Sequence, residues 1–147
     1  MKLSLAHAFP VPREKVYAAL TDPEVLRRCI EGCEELTATG PDSFSAKLRV
    51  GVAAIKGSYS GTVTLTERKP PESLTLSIEG KGLPGFVRST ASIRLSEKDG
   101  GTELTAEGEA AVGGLIAAVG SRLVEGLARK MIAGFFEKLA KHLEAEI

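Results

Sequence analysis

The C-terminal segment from Gly114 to Ile147 constrains the fold more than any other feature of the 147-residue chain. Its apolar residues recur at three- and four-residue spacings, one row being Leu115, Val119, Leu123, Leu127, Met131, Phe135, Leu139 and Leu143. This spacing predicts one long amphipathic helix. The helix would be roughly 45–50 Å long at about 1.5 Å per residue, so its wide apolar face needs an extended apolar surface to pack against.

The preceding chain supplies that surface as β-strands. Lys2–Phe9 alternates between apolar and polar residues, which predicts a first strand. Pro12 and the pair Asp22-Pro23 then open two short helices. Six further strands are predicted by alternation over Glu34–Thr39, Phe44–Ala53, Ser58–Arg68, Ser73–Gly80, Val87–Glu97 and Thr102–Val112. Short turns join them, so we expect one α+β domain over residues 1–147, in which a seven-stranded curved antiparallel sheet surrounds the C-terminal helix.

Composition excludes several classes of function. Lys plus Arg equals Asp plus Glu, at 19 each, and Trp is absent, so a nucleic-acid partner is not expected. The longest uncharged run, Ala110 to Ser121, is shorter than the roughly 20 apolar residues that a spanning helix needs, and the N-terminus does not resemble a signal peptide. Cys29 and Cys33 have no companion ligands at metal spacing. We therefore expect a cytoplasmic protein without a metal or cofactor.

Small residues collect at one end of the inward-facing strand positions. The large residues lie toward the other end, and the first turns of the helix contain the small residues Gly113, Gly114, Ala117, Ala118 and Gly120. An under-filled end loses dispersion energy, so a bound ligand is one explanation for the small residues. Glycines that relieve sheet curvature are the alternative. The predicted ligand-binding residues are His7, Tyr59, Gly61, Gly80, Ser89, Ala91, Gly108, Ala110, Val119, Leu123 and Leu127.

The turns that meet at this end are unusually apolar. In a meander alternate links lie together, which predicts a cavity rim formed by Ile55, Leu83, Phe86, Gly113 and Gly114. Grouped apolar residues around a mouth mark a docking or ligand-entry surface. Lys56 and Lys81 beside them are placed to meet anionic lipid head groups.

The predicted inner face offers little for catalysis. His7 and Tyr59 are its ionisable side chains, and no inward Asp or Glu is available to orient the histidine. We therefore expect a binding protein that is not an enzyme.

Several motifs together resemble the G-subunit family of carbon monoxide dehydrogenase, within the superfamily of START-like (SRPBCC) helix-grip proteins. The motifs are Cys29-Ile30-Glu31-Gly32-Cys33-Glu34, Ile55-Lys56-Gly57 with Tyr59 and Gly61, Val112-Gly113-Gly114, Val119-Gly120-Ser121-Arg122, and Phe135-Phe136. Glu31 stands where the family usually has proline. The resemblance implies an accessory protein that brings a molybdenum hydroxylase to the inner face of the cytoplasmic membrane and binds a lipid or quinone in a hydrophobic cavity.

Two other functions fit the same fold. One is an enzyme of the polyketide cyclase or dehydratase type, which needs a polar, ionisable pocket. The other is an adaptor whose cavity is closed and whose apolar turns bind a protein partner.

Overall fold

Strand and helix periodicities produce the expected elements in the computed structural model, which describes residues 1–52 and 55–145. The elements in chain order are β1 Lys2–Phe9, α1 Arg13–Leu20, α2 Pro23–Cys29, β2 Cys33–Gly40, β3 Ser43–Val50, β4 Gly57–Lys69, β5 Ser73–Gly82, β6 Gly85–Lys98, β7 Gly101–Gly114, α3 Leu115–Ala118 and α4 Ser121–Ala145. β3 ends at Val50, short of the predicted end at Ala53, which lies outside the described residues.

The seven strands form one antiparallel sheet in the order β1-β7-β6-β5-β4-β3-β2. The meander from β2 to β7 follows from the short turns, and β1 pairs with β7 in a register that aligns Lys2 with Glu109 and Phe9 with Thr102. The predicted fold class, a curved antiparallel sheet with a long C-terminal helix and two short helices after strand one, is confirmed.

The two short helices begin as the sequence predicts. Asp22 caps α2 by accepting a hydrogen bond from the Glu24 backbone N–H at 3.0 Å, and Pro23 occupies the first helical turn. The Tyr17 hydroxyl of α1 donates to the Ser73 carbonyl at 3.2 Å. α1 is therefore tied to the start of β5, at the end of the sheet opposite the predicted rim.

The C-terminal helix is interrupted, which corrects the prediction of one continuous helix. α3 ends at Ala118, and α4 begins at Ser121 after Gly120, whose φ of 98° is accessible to glycine but strained for other residues. Glycine inside a helical pattern is usually tolerated, so the periodicity alone did not reveal the break. Glu146 and Ile147, the last residues of the predicted helix, lie outside the described residues.

The solid core lies between α1, α2, the C-terminal part of α4 and the strand ends near them. Its fully buried side chains include Phe9, Leu95, Leu104, Leu139 and Leu143, each at most 2% exposed. We call this region the packed half of the sheet–helix interface. The inner face of the sheet continues beyond it toward α3, and that continuation carries the candidate site.

Candidate functional site

The strand register arranges the small inward residues along a diagonal of the sheet. Gly82 pairs with Gly85, and Gly61 pairs with Gly80. Ser89 pairs with Ala110, and Ala91 pairs with Gly108. Because these pairs belong to different strand junctions and lie in different rows, the small residues cross the sheet obliquely. The predicted ligand-binding residues among them therefore do share one surface, but it is a band rather than one end of every strand.

Side chains on and around this band are less buried than the core. Tyr59, Ser89, Ala91, Val119 and Leu127 are half-buried. Ile78, in the same row of the sheet as Ser89 and Ala110, is more exposed, at 37%. The inner face here is accessible to solvent, and we call it the open half of the sheet–helix interface.

The glycines of the band serve two different purposes. A Cβ atom on Gly61 would lie 2.7 Å from the Glu79 carbonyl oxygen, and one on Gly108 would lie 2.8 Å from the Thr90 carbonyl oxygen. Such contacts are too short, so these two glycines permit the close backbone approach that curvature requires. A Cβ on Gly80 would meet its nearest atom only at 3.9 Å, which leaves space beside it.

Tyr59 is positioned by the turn that it supports. Its hydroxyl donates a hydrogen bond to the Ile55 carbonyl at 2.5 Å, and burial raises the pKa of the phenol above its ordinary value. The neutral phenol is thus favoured, and its proton is already used in the fold. Tyr59 acts as a wall of the open half and holds the Ile55 turn in place.

His7 lies away from the glycine-rich band, in contrast to its predicted place among the ligand-binding residues. Its ring centroid is 4.7 Å from that of Phe9 and 5.4 Å from that of Phe136. His7 pairs with Leu104, which is fully buried, whereas Gly108 pairs with Leu3. The histidine therefore belongs to an aromatic cluster at the edge of the packed half, because Phe136 approaches β1 in the folded chain.

The predicted rim turns do meet in space. The Ile116 backbone N–H donates to the Pro84 carbonyl at 3.0 Å, and a Cβ atom on Gly57 would lie 3.3 Å from the side chain of Pro84. Gly114 packs against the backbone of Gly85. The turns around Gly57, Pro84 and Gly114 thus form one contiguous surface.

The exposed side chains of this surface point in different directions. Leu83 is fully exposed at the tip of the β5–β6 turn, while Ile55 is half-buried. Phe86 alternates with the inward-facing Val87 and lies on the outer face of the sheet, where its ring covers Gly113. Phe86 and Gly113 therefore flank the predicted rim from outside instead of lining the inner mouth.

Sequence reasoning missed a groove of about 770 Å³ on the outer face of the sheet. Its walls are the side chains of Glu35, Lys47, Ser60, Thr62, Glu79, Lys81, Phe86 and Arg88 above the backbone of Gly61, Gly80, Gly82 and Gly85. None of the described residues that line it belongs to α3 or α4. Alternation directs these polar side chains to the outer face, but the concave shape of that face depends on how the sheet bends at its glycines.

The groove walls are partly neutralised by cross-strand ion pairs. Lys47 lies 3.5 Å from Glu35, and Arg88 lies 3.8 Å from Glu79. All four side chains are exposed, so each pair contributes little to stability. Lys81 is not part of either pair.

The cysteines are free thiols, with Cys29 buried and Cys33 half-buried. Burial raises the pKa of both thiols, which favours the neutral, unreactive form. Within residues 1–52 and 55–145, no group of three or more His, Cys, Asp or Glu side chains is arranged to hold a metal ion.

Comparison with known proteins decides the family. The family model of the carbon monoxide dehydrogenase G subunit (CoxG) matches residues 8–144. The chain belongs to the CoxG family. A search among curated protein sequences found no match.

Solved structures agree with the fold of a CoxG protein. A conserved protein from Geobacillus kaustophilus superposes with a TM-score of 0.95 at 36% identity, over 99% of this chain and 96% of that one. Protein CV1439 from Chromobacterium violaceum superposes with a TM-score of 0.74 at 20% identity, over 97% of this chain and 96% of that one. Ara h 8.0201 superposes with a TM-score of 0.76 at 12% identity, over 99% of this chain and 98% of that one. The last two likenesses concern the fold alone.

CoxG membership and the helix-grip fold suggest a ligand-binding accessory protein. The resemblance inferred from the sequence motifs is thus confirmed. In the part of the chain that the structure describes, no helix has both the length and the apolar character needed to cross a bilayer.

Proposed function

We propose that this CoxG protein binds an apolar small molecule, a lipid tail or a quinone, in the open half of the sheet–helix interface, without catalysing a reaction on it. One observation carries the proposal. Ile78, on the inner face of the sheet, stays 37% exposed although Phe44, in the same row of the sheet, is buried in the core. An apolar ligand packed against Ile78 would remove that surface from water.

The energetics favour such an occupant. Complete burial of an Ile side chain is worth about 1.5–3 kcal/mol, so Ile78, left 37% exposed, forgoes roughly 0.5–1 kcal/mol. Larger residues at Ala91 and Ala110 would have recovered this burial free energy, because both positions are half-buried and face the same space. Small residues opposite exposed apolar ones are typical of a site that a ligand completes.

Polar recognition in this site would be sparse. Of the predicted lining residues, Tyr59, Ser89 and His7 carry polar side chains, but Tyr59 already donates to Ile55 and His7 lies in the aromatic cluster. Ser89 remains as the group that would hold one polar atom of the ligand, such as a quinone carbonyl. Affinity would therefore come mainly from burial of apolar area.

The cellular part of the proposal follows from the family. As a CoxG protein, this chain would serve as an accessory factor that links a molybdenum hydroxylase of the carbon monoxide dehydrogenase type to the inner face of the cytoplasmic membrane. Binding of a membrane-derived lipid or quinone fits that role, because both ligands are dissolved in the bilayer that the hydroxylase has to reach.

The placement of His7 argues against the cyclase or dehydratase alternative. General acid–base catalysis needs an ionisable group within hydrogen-bond reach of a bound substrate. His7 instead packs between the rings of Phe9 and Phe136. The open half offers shape and apolar surface, and these are the requirements of binding.

Titration with decylubiquinone and, separately, with oleate tests the proposal, with calorimetry as the readout. Ala110 faces the open half and its chain neighbour Ala111 is exposed on the outer face, so the same change at each forms a matched pair. Ala110→Leu should fill the site and weaken binding at least tenfold, by about 1.4 kcal/mol or more, whereas Ala111→Leu should bind as wild type. Absence of binding of either compound by wild-type protein, or equal affinities of the two variants, would reject the proposed site.

A further inference from the structure

The end of the molecule at which the three rim turns meet exposes four large apolar side chains. Leu83 is 102% exposed, Leu115 is 64%, Phe86 is 45% and Val52 is 40%. We call these four residues the apolar tip. Such a grouping at converging turns, away from the solid core, marks an interaction surface.

The contacts between the turns hold the apolar tip together. Val52 accepts a backbone hydrogen bond from Ile55 at 3.0 Å, which forms the first turn. Pro84 is buried and contacts both Gly57 and Ile116, so the second turn lies between the first and α3. The side chains of the tip are therefore presented by a preformed surface.

Basic residues flank, in the chain, the segments that carry the apolar tip. Arg49, Lys56, Lys81 and Arg122 are exposed and belong to none of the ion pairs among the described residues, and we call them the basic collar. The segments that supply the tip and the collar, residues 43–66, 80–96 and 110–124, contain no Asp or Glu. Since the whole chain is neutral, its carboxylates are concentrated elsewhere.

Several carboxylates border this surface, among them Glu125, which pairs with Arg129 of α4. Glu31 and Glu34 belong to the loop before β2 and to its start, on the far side of β3 from the β5–β6 turn. Glu79 is directed onto the outer face of the sheet, where it pairs with Arg88. The tip itself combines exposed apolar residues with unpaired cations.

From this arrangement we propose that the apolar tip inserts into an anionic lipid bilayer, with the basic collar on the head groups. Fully exposed Leu83 at a turn tip is suited to enter the acyl boundary, and clustered Lys and Arg residues are attracted to anionic lipids. The inference deepens the proposed function and rests on it, because Gly114 and Val119 at the mouth of the open half belong to the same end and ligand would pass directly between bilayer and protein. Membrane docking and ligand binding are nevertheless separate measurements.

A single-tryptophan reporter tests insertion, because the chain has no Trp of its own. Leu83→Trp, without added ligand, should show blue-shifted emission with vesicles of phosphatidylglycerol and phosphatidylcholine, and bromine-labelled lipid should quench it. Met131→Trp places the reporter at another apolar position, on α4 and away from the turns, where the native side chain is 39% exposed, and it should remain unquenched. Quenching of Met131→Trp alone would overturn the proposed orientation.

Vesicle flotation tests the charge requirement. The wild-type protein should float with anionic vesicles but not with pure phosphatidylcholine, and Lys56→Gln with Lys81→Gln should weaken binding by about fivefold per charge removed. Lys15→Gln with Lys69→Gln makes the same charge change at exposed positions away from the tip and should have a smaller effect. Leu83→Ser should weaken binding at least tenfold.

The outcomes separate this inference from the proposed function. Binding of decylubiquinone in solution without any vesicle binding would overturn membrane docking and leave the ligand site intact. In that case, saturable binding of a purified molybdenum hydroxylase that Leu83→Ser abolishes would identify the tip as a protein interface instead. Vesicle binding without quinone or oleate binding would sustain the docking surface and reject the ligand site.

Discussion

The packed and open halves of the sheet–helix interface are built from the same elements but differ in burial. Leu139, toward the end of α4, is inaccessible to solvent. On the sheet, Leu104 is fully buried and Ile78 is 37% exposed. An amphipathic pattern therefore specifies which side chains face the sheet, but it does not specify how closely the sheet approaches them.

The largest expected difference between the halves is in the response to truncation of an apolar side chain. Leu139→Ala should lower the free energy of unfolding by about 2–5 kcal/mol, because it leaves a cavity in close-packed surroundings. Ile78→Ala should cost less, about 1–2 kcal/mol, because 37% of that side chain is already in water. Urea denaturation of both variants measures the contrast, and comparable losses would show that the halves do not differ in packing.

Glycine replacements sharpen the comparison within the open half. Gly108→Ala should destabilise the fold by about 1–3 kcal/mol, because its Cβ would lie 2.8 Å from the Thr90 carbonyl oxygen. Gly80→Ala has space for the new methyl group and should be neutral or stabilising by about 0.4–1 kcal/mol. Thermal unfolding distinguishes the two. If Gly80→Ala lowered the unfolding temperature more than Gly108→Ala, there would be no free space beside Gly80.

The helix break offers a smaller contrast between the halves. Gly120 adopts a φ of 98°, so Gly120→Ala should cost about 1–2 kcal/mol. A methyl group added at Gly134, in the continuous part of α4, would meet no atom of another element within 4 Å, and Gly134→Ala should stabilise the fold by about 0.5–1 kcal/mol. Chemical denaturation followed by circular dichroism tests both. Stabilisation by Gly120→Ala would indicate that α3 and α4 join as one helix.

The smallest expected effect concerns pH and the packed half. Burial raises the folded-state pKa of the Cys29 thiol, so the unfolded chain loses that proton first as the pH increases. The associated stability is complete below the ordinary thiol pKa, about 8.5, and is lost as the pH rises through the raised value. Urea midpoints measured across this range should fall less steeply for Cys29→Ala than for wild type. If the urea midpoints of wild type and Cys29→Ala fell equally steeply with pH, the effect could not be assigned to the Cys29 thiol.

Much of the fold could be predicted because it depends on local patterns. Two-residue alternation and short turns identified every strand and their meander order, and the start of α2 followed from Asp22 and Pro23. These features depend on neighbouring residues, so their signals are contained in short segments. The break at Gly120 was missed because a helix tolerates glycine, and periodicity continues across it.

The candidate site was less accessible to sequence reasoning. The inward positions of Ser89, Ala91, Gly108 and Ala110 follow from alternation, and the register does bring them onto one band. Alternation also places His7 on the inner face, but the residues around its side chain depend on where α4 places Phe136. The outer groove depends on how strongly the sheet bends, a property of several strands together.

The sequence by itself determined the order of strands and helices, the side of each element that faces the core, and the small residues that leave an interface under-filled. Only the tertiary structure decided where the interface closes and where it remains open. The reason is physical. Side-chain direction is set by backbone geometry within a few residues, whereas the separation of helix and sheet reflects contacts between distant segments, such as Ile116 with Pro84 and Phe136 with His7.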